Sequence, residues 1–288
     1  MTTVRGDVAL RQGEHDGHAW AMALRRPDPS LDGIVAGPYC GYEESGREVR
    51  RRQTATDRVP VIISFGDPID LVELSASGSP ARRVTSFVAG LHDGYVVTRF
   101  AGTQHGVQVD LTPLGAARVL GPPHELANEC VDLDLVLGRF GAELTERLAT
   151  APGWPERFDL LDEVLIARAA DGPDPDPAVV WAWRQLRRSH GQVAVGVLAD
   201  EVGWSRRHFT VRFREQVGLP PKPAARVLRF RRAAGLLAAH PDRSITDVAA
   251  ACGYADHSHL VREFRRLAGC TPSAYVRALL PGGAGVGG

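Results

Sequence analysis

At 288 residues the chain exceeds one typical domain and fits two. Its 44% hydrophobic and 24% charged residues are those of an ordinary globular protein, which excludes disordered and fibrous classes, and no run of eighteen apolar residues offers a transmembrane helix. The formal net charge of zero conceals an asymmetry: residues 1–180 hold 17 Arg against 27 Asp and Glu, a balance of −10, whereas residues 181–288 hold 16 Arg and one Lys against 7 acids, a balance of +10.

An acidic half joined to a basic half points to one half meeting a polyanion. The N-terminus has no apolar stretch of signal-peptide type, so a cytoplasmic location and no membrane contact are expected. Cys40, Cys130, Cys252 and Cys270 are scattered with no C-x-x-C pair, which favours reduced, buried thiols over zinc or redox chemistry.

Residues 1–115 read as β-rich. Val59–Phe65 and Tyr95–Phe100 are short runs rich in β-branched and aromatic residues, and Gly106–Thr112 alternates apolar and polar at period two. Turn residues between such strands suggest a barrel or sandwich. The run Arg47–Arg52 reads as a solvated charged loop, with an anion site as the sharper alternative. Trp20, Tyr39 and Tyr42 read as core before pocket, and His92, His105 and His124 are isolated, so no metal or cofactor is expected. From about residue 123 the spacing turns helical, over 123–127, 133–149 and 156–170, and the amphipathic helices over 133–170 are expected to form a dimer interface, with packing against the barrel as the alternative.

Ala170-Asp-Gly-Pro-Asp-Pro-Asp-Pro177 alternates prolines with acids, which favours an extended connector. The expected organisation is therefore a β-rich effector or dimerisation domain ending in helices at 1–169, a linker at 170–177, an all-α domain at 178–280 and a disordered tail at 281–288.

The C-terminal part contains an internal repeat. Leu198-Ala-Asp-Glu-Val-Gly-Trp-Ser205 matches Val248-Ala-Ala-Ala-Cys-Gly-Tyr-Ala255 at an offset of 50, and Phe213-Arg214, Gly218 and Pro221 match Phe264-Arg265, Gly269 and Pro272 at 51. Each copy reads as helix, glycine turn, helix, with Ser205 and Ser244 as N-caps. Such a pair also occurs in any packed helical hairpin, and the outward faces separate the two readings. At about 100° per residue, Arg207, Thr210, Val211 and Arg214 fall opposite the Phe209–Phe213 stripe, and Ser258, Val261, Arg262 and Arg265 fall opposite Leu260 and Phe264. Both faces combine basic and small residues without an acid, as major-groove readout needs: Arg reads guanine bidentately and small methyls meet thymine. A helix over 223–239 spans about 25 Å, close to the roughly 34 Å between successive turns of one groove, and its Arg226, Arg229, Arg231 and Arg232 are candidate phosphate contacts.

The segment Ile245-Thr-Asp-Val-Ala-Ala-Ala-Cys-Gly-Tyr-Ala-Asp-His-Ser-His-Leu-Val-Arg-Glu-Phe-Arg-Arg-Leu-Ala-Gly-Cys-Thr-Pro-Ser-Ala-Tyr-Val-Arg277 resembles the signature of AraC/XylS-type transcription regulators, over about residues 178–280. The resemblance implies a seven-helix module with two helix-turn-helix units, usually paired with a cupin-like N-terminal domain. It places Arg207 and Thr210 at base-contacting positions of the first unit, and His257, Ser258, His259 and Arg262 in the second. Arg206, Arg214 and Arg265 complete the expected DNA-binding set. Val211 stands where the family pattern often has Arg, and Arg212 beside it points toward the core, so the first unit departs from the pattern. The expected fold class is α+β: a cupin-like barrel or sandwich with trailing helices, plus the all-α module.

The expected function is a DNA-binding transcription regulator, not an enzyme, acting on double-stranded DNA. Its N-terminal domain is expected to bind a small-molecule effector, and RNA polymerase and a second copy of the chain are candidate protein partners. The alternatives are an enzyme carrying a DNA-binding appendage (a cupin-type enzyme or an alkyl-transfer repair protein) and a ligand-independent regulator whose N-terminal domain only dimerises.

Overall fold

A computed structural model describes residues 7–15, 18–279 and 286–287. The N-terminal lobe is built on one mixed-length antiparallel sheet: β1 (Ala9–His15), β2 (His18–Arg25), β3 (Tyr39–Gln53), β4 (Val59–Ser64), β5 (Ile69–Leu74), β6 (Arg82–Val84), β7 (Phe87–Ala89), β8 (Val96–Leu111) and, after α1 (Pro113–Val119), β9 (Cys130–Asp132). The strand order is β1-β2-β3-β8-β4-β7-β9, with β5 and β6 paired alongside β8. The lobe is thus the expected barrel-or-sandwich type of β-rich domain, built on a sheet whose strand path does not close on itself.

β3 and β8 form its spine, paired from Cys40↔Gln108 to Gln53↔Val96. The two strands expected at 95–100 and 106–112 are one, and the expected charged loop at 47–52 lies inside β3. Both strands carry an irregularity at a glycine. The β3–β8 register shifts between Gly46 and Val49, and Gly102, opposite Gly46, takes φ +94°.

The helices that follow are α2 (Leu133–Leu137), α3 (Arg139–Thr150) and α4 (Trp154–Asp171). The expected helix at 133–149 is broken by Gly138 at φ +60°, and 123–127 is a single 3-10 turn at Pro123–Glu125. Leu144, Leu148, Phe158 and Leu161 bury against the sheet lobe, while Leu135 stays 76% exposed. A buried ionic group fixes α4 there: Arg25 pairs with Asp159 and Asp162 at 2.5 and 2.6 Å, and Tyr39 donates to Asp162 at 2.8 Å.

Seven helices follow among the described residues: α5 (Pro177–Arg188), α6 (Val195–Glu201), α7 (Arg206–Val217), α8 (Pro221–Ala239), α9 (Ile245–Ala251), α10 (His257–Ala268) and α11 (Pro272–Arg277). The connector is shorter than its proline pattern suggested, because α4 runs to Asp171 and the Asp176 carboxylate caps α5 at Ala178 N–H. A single buried apolar cluster runs from the sheet through α4 into the C-terminal helices. Part of the expected disordered tail is ordered, since β10 (Val286–Gly287) pairs with Arg52 and Arg51 of β3, and the rest of that tail lies outside the described residues.

Candidate nucleic-acid interface and effector cavity

The two halves of the sequence repeat fold alike. α6 and α9 each have 7 residues, and α7 and α10 each have 12. Gly203 and Gly253 end the first helix of each pair at φ +70° and +72°, a left-handed turn that Cβ-bearing residues enter at a cost. The second helices start at true caps: Ser205 Oγ accepts from His208 N–H at 3.2 Å and Asp256 from His259 N–H at 2.7 Å. Ser244 sits at the N-cap of α9 but makes no side-chain cap bond. Phe209, Phe213 and Val217 in α7, and Leu260, Phe264 and Leu267 in α10, are fully buried, which turns the opposite sides outward.

On α7, Arg207, Val211 and Arg214 are exposed, and neither arginine has a side-chain partner among the described residues. Thr210 donates its hydroxyl to the Arg206 carbonyl at 2.8 Å. Arg206, also exposed, lies over Gly196 of α6, in space that a side chain there would fill. Arg212 is held by Glu215 at 2.8 Å and Asp176 at 3.7 Å, so it does not replace the missing arginine at Val211.

On α10, His257, Ser258, Arg262 and Arg265 are exposed and lie on one side. His259 is half-buried, edge-on to Tyr254, with Nδ1 accepting from Ala255 N–H at 3.4 Å. The structure thus gathers Ser258, Arg262 and Arg265 in one patch and gives His259 work within its own turn. α8, two residues longer at its start than expected, extends about 28 Å between the two units. Its arginines are largely occupied: Arg226 pairs with Asp93, Arg231 with Asp57, and Arg229 lies over the Tyr254 ring.

The second feature is a cavity of about 580 Å³ between one face of the sheet and α8. Its walls come from strands far apart in the chain, so no local pattern marks its position, although Tyr42, read as core before pocket, lines it. On β3 the residues lining it are Cys40, Tyr42 and Glu44 before the irregularity, and Arg51 and Gln53 after it. Apolar walls such as Ile62, Phe87 and Phe230 alternate with charges already paired inside the protein. Glu44 takes a forked bond from Arg51 at 3.1 and 2.7 Å, Asp110 pairs with Arg58 at 2.9 Å, and Asp57 pairs with the lining Arg231 at 3.1 Å. Burial drives the pKa of His92 down, so the ring is neutral; Nδ1–H then donates to Gly90 O at 2.6 Å and Nε2 is left an acceptor. The buried Gln104 Oε1 and His92 Nε2 have no hydrogen-bond partner among the described residues.

Burial also pushes the thiols of Cys40 and Cys130, both on the cavity wall, up to about 11 and 12. Among the described residues no group of three or more His, Cys, Asp or Glu is gathered as a metal would require. No helix among them is long and apolar enough to cross a membrane.

A family model described as a helix-turn-helix domain matches residues 198–278. The transcriptional activator RhaS of Citrobacter koseri is 38% identical over 69 residues, and the match spans 24% of each chain, about a quarter of that relative's length. Among solved structures, the C-terminal domain of AraT, a response regulator from Geobacillus stearothermophilus, is 20% identical, covering 36% of this chain and 88% of that one at a TM-score of 0.34. Apo ToxT from Vibrio cholerae aligns over 92% of this chain and 99% of its own at 12% identity and a TM-score of 0.47. Wild-type ToxT with a bound unsaturated fatty acid aligns over 80% and 94% at 12% identity and a TM-score of 0.44.

Proposed function

From its C-terminal region, which is of the AraC/XylS helix-turn-helix type, we infer that the whole chain is a sequence-specific transcription regulator whose DNA binding is modulated by a small molecule. The observation that carries this reading is the duplicated unit. Two capped helices of equal length, joined by a rigid rod, each turn an exposed, acid-free basic face outward. A helix presenting Arg and small side chains fits the major groove, and two of them about one helical turn apart fit successive grooves of one duplex.

The effector seat is the cavity between the sheet and α8. Its fixed charges cancel in internal pairs, so a carboxylate or ammonium ligand would have to break one. An uncharged molecule of apolar body with hydroxyl or amide donors fits better, because Gln104 Oε1 and His92 Nε2 are acceptors in need of partners. RNA polymerase and a second copy of the chain are the protein partners this role implies, and the cytoplasm is where it would act. Expected organisation and base-reading residues carry over as part of the proposal: an effector domain to residue 169, a DNA module over 178–280, and readout by Arg207, Thr210, Arg214, Ser258, Arg262 and Arg265, with Arg206, His257 and His259 at the margins.

An enzymatic reading finds less support. An alkyl-accepting cysteine must be a thiolate held by metal or positive charge, whereas burial keeps Cys40 and Cys130 protonated. Titration of the protein with duplex DNA at several salt concentrations tests the function. Log affinity should fall linearly with log salt with a slope of roughly −4 to −8, reflecting several Arg–phosphate contacts; no binding at low salt would sink the reading.

A further inference from the structure

We propose that Asp93 of the sheet lobe is an internal stand-in for a DNA phosphate, and that a duplex must displace it from Arg226 and Arg266 before the second helix-turn-helix unit can bind fully. The proposal rests on the reading of this chain as a DNA-binding protein and adds how its own lobe restrains that activity.

The geometry is that of a guanidinium clamp on one oxyanion. A single oxygen, Oδ2 of Asp93, accepts from Arg226 Nη2 at 2.9 Å and from Arg266 Nη2 at 2.7 Å. The Asp93 carbonyl accepts from Arg266 Nε as well, at 3.4 Å. The backbone that carries this carboxylate is held from its own side, because Asp93 N–H donates to Asn128 Oδ1 at 2.9 Å and Asn128 N–H donates to Leu91 O at 2.9 Å. Its side chain is only 11% exposed, whereas that of Arg266 is 48% exposed and therefore reachable from solvent.

The position of Arg266 makes this contact relevant to DNA. It lies one helical turn beyond Arg262, about 40° around the helix from it, and hence on the outward side of α10 that carries Ser258 and Arg262. Arg226 belongs to the rod that joins the two units. The lobe thus grips both the end of the second recognition helix and the bridge, through one negative charge shared between two positive ones. A phosphodiester offers the same oxyanion chemistry, and a duplex presents many of them in a row.

A second carboxylate repeats the pattern nearby, where Asp57 pairs with Arg231 at 3.1 Å and Arg187 at 3.9 Å. The loop that carries Asp93 also supplies Gly90, His92 and Gly94 to the cavity wall, so an occupant of the cavity would press on the latch directly.

The test compares the wild type with Asp93→Asn on a duplex of about 30 base pairs and arbitrary sequence, by fluorescence anisotropy at several salt concentrations. Asp93→Asn should bind about five- to tenfold tighter near 0.1 M salt, the order expected for releasing a partly buried ion pair. The gain should vanish when Arg226 and Arg266 are both changed to Ala. Equal or weaker binding by Asp93→Asn, or a gain that persists without those arginines, would overturn the latch. Should Asp93→Asn fail to fold, hydrogen exchange on the wild type decides: adding DNA must speed exchange at residues 91–94, and unchanged or slower exchange contradicts the proposal. If neither protein binds any duplex, the DNA-binding reading falls together with the latch; if the wild type binds and the variant gains nothing, the latch alone falls.

Discussion

Glu44 and Arg51 lie an odd number of positions apart on one strand, yet their side chains meet in a forked ion pair on the same face of the sheet. In a regular strand an odd separation puts two residues on opposite faces. The irregularity between Gly46 and Val49 removes that conflict by reversing the alternation, so that 40, 42 and 44 and then 51 and 53 all line the cavity. The pair is largely buried, with side-chain exposures of 6% and 15%. Glu44→Gln should therefore destabilise the fold by about 3 kcal/mol, because a buried guanidinium loses its counter-charge. Replacing both residues, as Glu44→Gln with Arg51→Met, should recover most of that loss in chemical denaturation; a double variant less stable than the single one would contradict the pairing.

The pH dependence of stability follows from His92. Burial holds its folded pKa below the ordinary value of about 6.5. The unfolded chain then binds a proton more readily than the folded one, so the contribution of neutral His92 is present above about pH 6.5 and fades as pH falls below it. Melting temperature should decline between about pH 7 and pH 5, and His92→Gln should flatten that decline. A decline of the same steepness in the variant would assign it to other groups.

The cysteines offer a chemical check. With the Cys40 and Cys130 thiols pushed up to about 11 and 12, almost no thiolate exists at pH 7.5. Iodoacetamide should label native protein slowly at both, and rapidly only after unfolding. Labelling of Cys130 within the first minute on folded protein would show a reactive thiol and reopen the enzymatic reading.

The two recognition helices should contribute unequally. Arg262 stands exposed on α10, whereas α7 has Val211 at the position where the family pattern often has Arg, and Arg212 beside it is tied to Glu215. Arg262→Ala should cost roughly 1–3 kcal/mol on a specific site and relax its sequence preference. Val211→Arg should strengthen binding in the first half-site. Equal loss for Arg262→Ala on every sequence, measured by competitive gel shift, would reassign it to phosphate contact.

The duplicated helix-turn-helix region was legible in the sequence because its signals are local. Ser205 caps within three residues, Gly203 and Gly253 stop their helices, and buried Phe209 and Phe213 recur at helical spacing. The sheet was harder to read. β3 and β8 run on through Gly46 and Gly102, where hydrogen bonding between long, paired strands turns a possible break into an irregularity that no pattern in neighbouring residues shows. Period-two reasoning also fails across such a point, which is why Arg51 read as a loop residue although it faces the cavity. Asp57 and Asp93 gave no signal at all, since their partners lie in another part of the fold, beyond the reach of any pattern in neighbouring residues.

Selection of bound sequences from a random duplex pool tests the central claim most directly. Two exposed recognition helices on a rod of about 28 Å should enrich an asymmetric site with two conserved blocks about one helical turn, roughly 10 base pairs, apart. The block contacted by Arg262 should be the sharper of the two. Recovery of a single block would mean that only one unit reads DNA, and recovery of no enriched sequence at all would contradict the assignment of this chain as a sequence-specific regulator.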